Sequence, residues 1–124
     1  MEELKAPKRK TEPITFEILK HRLQSAVEEA AVTLKNVSGS PVATEIGDMN
    51  LAIMDRNGIC ISVGQYTVCK GTSLAKVAQD VLANYRENPG IQDGDAFICN
   101  DPYIGVMHQN DVAVVEPYYK DGEL

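Results

Sequence analysis

The stretch "NDPYIGVMHQND", residues 100–111, holds two Asp, two Asn, a Pro, a Gly and one of only two His in the chain. Two residues separate His108 from Asp111. In an extended or turning segment this spacing aims an imidazole and a carboxylate at one ion, a donor pair that suits zinc, manganese or iron. Two donors do not complete a coordination sphere, so a third and a fourth have to come from elsewhere. Asn100-Asp101-Pro102 is a turn signature, because an Asx side chain bonds its own backbone. Gly105 permits a sharp bend or a close backbone approach. The plain alternative is a polar loop. In that reading Asp101 forms a turn, Tyr103 packs, and His-x-x-Asp is one of the short patterns that recur by chance.

The elements around this stretch decide what it can do. Residues 14–37 read as a long helix, with Phe16, Leu19, Leu23, Ala26, Ala30 and Leu34 on one stripe. Glu17 lies near its electropositive start, and "VSGSP" stops it. His21, between Lys20 and Arg22, falls on the polar side and reads as a solvated surface residue. Residues 49–63 read as a hairpin: Met49, Leu51 and Ile53 alternate, then Ile59, Ile61 and Val63. Asn57-Gly58 in "DRNG" predicts a turn with positive φ at both central residues. Residues 73–87 give a second helix, with Leu74, Val77, Val81, Leu82 and Tyr85 on one face. Thr72 or Ser73 suits its cap, and "NPG" ends it. Short strands at 95–99 and 112–115 flank the His-x-x-Asp stretch, the second ended by Pro117. Asp121-Gly122 predicts a turn with no return strand behind it. These signals predict an α+β fold of two main helices with antiparallel strand hairpins, the N-terminal fragment of a larger mixed α/β subunit.

Composition narrows the function. With 124 residues, 44% hydrophobic and 24% charged, the chain reads as one soluble globular domain. A net charge of −6 opposes binding to a phosphate backbone, so no nucleic-acid partner is expected. No apolar run is long enough for a membrane span. Residues 1–13, "MEELKAPKRKTEP", lack the apolar core of a secretory signal and read as a flexible arm; "KAPKRK" as a nuclear-localisation patch is the other reading. Three Cys, with no CxxC pair, suit a reducing cytoplasm. Cys60 and Cys99 lie in apolar strand-like runs, where Cys acts as a small hydrophobe. Cys69 beside Lys70 reads either as an activated thiol or as a partly buried free Cys.

The segment "NPGIQDGDAFICNDPYIGVMHQNDVAVVEPYYKDGEL" resembles the N-terminal region of the hydantoinase B / acetone carboxylase alpha-subunit family. That family shares the Pro-Gly, the Asp-rich turn, a short strand, Asn-Asp-Pro-aromatic, a Gly, then His-x-x-Asp and an apolar strand. The long helix, "SGSP" and the strand–"DRNG"–strand hairpin occur there in the same order. The resemblance covers residues 14–124 and a minor N-terminal part of a typical family subunit. It implies that His108 and Asp111 match ligands of a divalent metal, manganese in the acetone enzyme. Asp101 and Asn110 would orient those ligands by hydrogen bonds. A further family His lies beyond the next strand, and the sequence stops before it. A second departure falls at Cys69-Lys70, where many relatives carry a His.

The resemblance further implies the metal-bearing subunit of an ATP-dependent hetero-oligomer acting on a small molecule. ATP is expected on a partner, a hydantoinase A-like subunit, since no phosphate-cradling Gly-rich loop is visible here. Two chemistries share the scaffold: carboxylation of a ketone, and opening of a cyclic amide. Gln109-Asn110 between the ligands resembles the carboxylase side. A non-catalytic accessory subunit is the remaining reading, and the chain by itself is expected to be inactive.

Overall fold

A computed structural model describes residues 11–67 and 70–124. Its architecture is α+β: helix α1 (Pro13–Val37), hairpin strands β1 (Ala52–Met54) and β2 (Cys60–Val63), helix α2 (Lys70–Tyr85), and strands β3 (Phe97–Cys99) and β4 (Ala113–Val115). β1 pairs antiparallel with β2, and β3 antiparallel with β4, as two separate two-stranded sheets. The arm expected over residues 1–13 lies outside the described residues up to residue 10. Pro13 already belongs to α1, in the first turn, where its missing N–H costs nothing.

Helix α1 has the expected extent but turns a different face inward. Val27 and Ala31 are its buried residues, and the helix packs on β1 and β2. Beside them Gln24 reaches across to the sheet. Its Nε2 donates to the Val63 carbonyl at 3.3 Å, and its Oε1 accepts from the Ser62 hydroxyl at 3.0 Å. That bond satisfies Ser62, which is buried. Phe16, Leu19 and Leu34 of the expected stripe are instead exposed. α1 carries apolar residues on more than one side, and the sheet selects the side whose small residues allow close approach. His21 is exposed, 4.0 Å from Glu17, as expected of a solvated residue.

The first hairpin forms where expected, with a different turn. Asp55 N–H donates to the Ile59 carbonyl at 2.8 Å and Gly58 N–H to the Asp55 carbonyl at 2.9 Å. Arg56, Asn57 and Gly58 therefore make a three-residue connection. Gly58 has φ +75°, whereas Asn57 does not take the positive φ predicted for it. The Asp55 carboxylate explains the choice. Its Oδ1 accepts the N–H groups of Asn57 at 2.9 Å and Ile59 at 2.8 Å, closing an Asx turn. Arg86 Nη2, donating to the Arg56 carbonyl at 2.9 Å, ties the turn to the end of α2. A bulge between Ile53 and Met54 shifts the register. Ile59 and Ile61 point outward, and Cys60 and Ser62 inward.

Burial alone would push the Asp55 carboxyl up; the N–H groups of Ile59 and Asn57, the Asn57 amide and the Arg56 charge outweigh it, and the net shift is downward. A carboxylate with a lowered folded value stabilises above its ordinary range, and the gain is lost as pH falls through the folded value. Asp55→Ala should therefore cost about 1 kcal/mol at neutral pH. The gap to wild type should shrink on acidification, read by urea denaturation at several pH values.

Helix α2 sits between the two hairpins. It begins at Lys70, so Thr72 and Ser73 lie inside it rather than capping it. Its expected face is the one that packs: Val77, Ala78 and Val81 are buried, and the Tyr85 ring lies 5.3 Å from that of Phe97. Val77 joins Val106 and Ala113 in a core cluster, with Leu74, Cys99, Ile104 and Val115 against it. After Tyr85 the chain leaves through a wide turn, Arg86–Gly90, in which Asn88 is already non-helical. At the chain's other turn, Lys120 and Glu123 exchange backbone hydrogen bonds of 2.8 and 2.9 Å around Asp121 and Gly122, both at positive φ. Beyond this single isolated bridge no return strand follows among the described residues, as expected.

The sheet of β3 and β4 is apolar on both faces. Ile98 pairs with Val114 across it, and both point outward, 74% and 52% exposed. Ile98→Thr and Val114→Thr should each leave stability within about 0.5 kcal/mol, since neither side chain is buried. A larger loss on denaturation would show that this face is covered. Cys60 and Cys99 are free thiols, as expected; Cys69 lies outside the described residues. Among the described residues no helix is long and apolar enough to cross a membrane.

Candidate metal centre

Residues 100–112 join β3 to β4 and are held from both ends. Asn100 Nδ2 donates to the Gln109 carbonyl at 3.5 Å, a long bond across the loop. Asp101 opens a turn: its Oδ1 accepts the Tyr103 N–H at 2.9 Å, and its carbonyl accepts those of Ile104 at 3.1 Å and Gly105 at 3.3 Å. That turn delivers Gly105 and Val106 onto α2. A Cβ on Gly105 would meet the Ser73 carbonyl oxygen at 2.8 Å, Lys76 Cβ at 2.9 Å and Val77 Cγ2 at 3.1 Å. Val106 is buried in the core cluster.

The chain then turns again. Asp111 N–H donates to the His108 carbonyl at 3.0 Å, and His108 Nε2 lies 3.8 Å from Asp111 Oδ2. Two donors bound to one ion through bonds of about 2.1 Å sit roughly 3–3.5 Å apart. A few tenths of an ångström would bring this pair to that spacing. The Asp111 side chain is 15% exposed and that of His108 59%, so an ion would approach from the imidazole side.

The structure brings His108 and Asp111 together, as the spacing predicts. Asp101 uses Oδ1 in its own turn, and Asn110 is exposed. Tyr103, expected to pack, is 99% exposed, because the Asp101 turn projects it away from α2. Among the described residues no group of three or more His, Cys, Asp or Glu converges on one point. The donors present thus fit two positions of a nitrogen- and oxygen-liganded divalent ion such as manganese, zinc or iron. Sequence reasoning missed the part played by Val106. The signal was there: Ile104 and Val106 flank Gly105 within an otherwise polar loop.

The family model for hydantoinase B/oxoprolinase matches residues 12–124. The chain belongs to this hydantoinase B/oxoprolinase family. It is 31% identical over 118 residues to the acetone carboxylase alpha subunit of Xanthobacter autotrophicus, covering 94% of this chain and 15% of that protein. It is 27% identical over 118 residues to the B component of a putative D-/L-hydantoinase from a Pseudomonas species, covering 91% of this chain and 20% of the relative. The caprolactamase beta component of Pseudomonas jessenii is 28% identical over 113 residues, 91% of this chain and 19% of that protein. The chain therefore spans a fifth or less of the length of these relatives. No solved structure matches. The hairpin, α2 and the His108–Asp111 loop all fall inside the matched hydantoinase B/oxoprolinase region.

Proposed function

We propose that this chain is the metal-binding part of a subunit in an ATP-dependent ketone carboxylase of the acetone or acetophenone type. The observation that carries the reading is the His108–Asp111 pair, 3.8 Å apart on a loop pinned to α2 and β4. Similarity to an acetone carboxylase alpha subunit supports the choice of reaction. A divalent ion held there supplies Lewis acidity toward a substrate oxygen and a template for orientation. The protein's own residues do the rest. His108 offers a neutral nitrogen and Asp111 a carboxylate that offsets part of the ion's charge. Asp101 and Asn110, on the same loop, would orient these two by hydrogen bonds formed with the ion in place, Asp101 through the oxygen its own turn leaves over.

Relatives named as subunits of an acetone carboxylase, a hydantoinase and a caprolactamase support a hetero-oligomer. ATP belongs on a hydantoinase A-like partner. The second reading, ATP-dependent cyclic amide hydrolysis, is favoured by the similarity to the hydantoinase and caprolactamase components.

The test is phosphate release from ATP by the native complex that contains this chain. A ketone plus bicarbonate should stimulate it. Stimulation by a hydantoin or a lactam, with none by the ketone, would replace carboxylation with amide opening. No stimulation by either would leave the chain a non-catalytic accessory role.

A further inference from the structure

We propose that Gly105 is a positioning residue: its contact with α2 sets where His108 stands relative to Asp111. The inference rests on the metal reading of that pair. Gly105 is absent from the positive-φ positions of the chain, so its backbone conformation does not demand glycine. Space does. A methyl group there would sit 2.8 Å from the Ser73 carbonyl oxygen and 2.9 Å from Lys76 Cβ. The first neighbour is helix backbone, which cannot swing aside, so the loop would have to lift.

The consequence follows from how the two donors are anchored. His108 lies two residues beyond Val106, which is seated against Val77 of α2. Asp111 lies two residues before Ala113, which pairs with Cys99 in the sheet. The imidazole thus follows the Val106 contact with α2, whereas the carboxylate follows Ala113, which both the sheet and Val77 hold; the 3.0 Å bond from Asp111 N–H to the His108 carbonyl joins the two. Lifting Gly105 and Val106 off α2 moves the imidazole further than the carboxylate, because Asp111 keeps the second anchor of the β3–β4 pairing through Ala113. The Asn100–Gln109 bond, at 3.5 Å, is too long to resist.

The experiment compares Gly105→Ala with Gly58→Ala in the full chain. Gly58 presses on the same helix from the other hairpin, where a Cβ would meet Gln79 Cγ at 2.8 Å and Gln79 N at 3.1 Å. Both variants should lower the melting temperature. Only Gly105→Ala should shift the His108 ring resonances in the metal-free protein, and weaken manganese(II) binding by about tenfold or more. Val106→Ala withdraws the same anchor without adding an atom and should act in the same direction, including where Gly105→Ala fails to fold. Unchanged His108 resonances in Gly105→Ala or Val106→Ala would overturn the inference. So would an equal effect from Gly58→Ala. Failure of manganese(II) to bind the wild type within its native complex, with the His108 resonances still moving as stated, would sink the metal reading and leave the positioning intact.

Discussion

Val77→Asp should leave the chain unfolded at room temperature, and Val77→Ala should cost about 2 kcal/mol. Val77 is 1% exposed and the largest fully buried side chain among the described residues. It touches both parts of the fold that matter to the site, the Gly105–Val106 segment and Ala113 of β4. Truncation to Ala removes two methyl groups, at roughly 0.8 kcal/mol each, and leaves a space that the helix and strand close only in part. Asp in the same place puts a charge among apolar side chains with no partner, a penalty comparable to the whole stability of a small domain. Urea denaturation followed by circular dichroism reads both. A cooperative transition for Val77→Asp near the wild-type midpoint would show that this cluster is not the core.

Val77 was legible in the sequence, and so was most of α2, because one stripe of that helix is apolar and the other sides are not. α1 was legible as a helix but not as a surface. Its apolar residues are spread widely enough that periodicity fits several faces. The choice of Val27 and Ala31 is made by β2 and by the Gln24–Ser62 bond, which join residues 38 apart in sequence. Ile59 and Ile61 do alternate along the hairpin, yet both face outward, because α1 covers the side that holds Ser62. "DRNG" announced a turn. Its length was set by the Asp55 carboxylate reaching Ile59, a bond that competes with the two-residue form.

The candidate site divides in the same way. His-x-x-Asp is local, and a single turn brings the two side chains together, so spacing sufficed. The contact of Gly105 with Ser73 and Lys76 joins a loop to a helix some thirty residues earlier. Spacing within the loop says nothing about that. Among the described residues no third His, Cys, Asp or Glu stands with His108 and Asp111, and spacing within the loop says nothing about a donor from farther along the chain.

Whether those two side chains hold a metal decides between a metal centre and a polar loop. Removing either should take away one of the two donors the loop provides and weaken binding by more than about 100-fold, since even the loss of a residue that only orients a ligand costs 10–100-fold. His21 is the internal control. It is the chain's other imidazole, exposed on α1 and paired only loosely with Glu17 at 4.0 Å. The measurement is the metal-to-protein ratio, by elemental analysis, of the protein purified with its native partners. His108→Ala and Asp111→Ala should lose the metal while His21→Ala retains it. Stoichiometric metal in both loop variants, with activity intact, would make residues 100–111 a polar loop and nothing more.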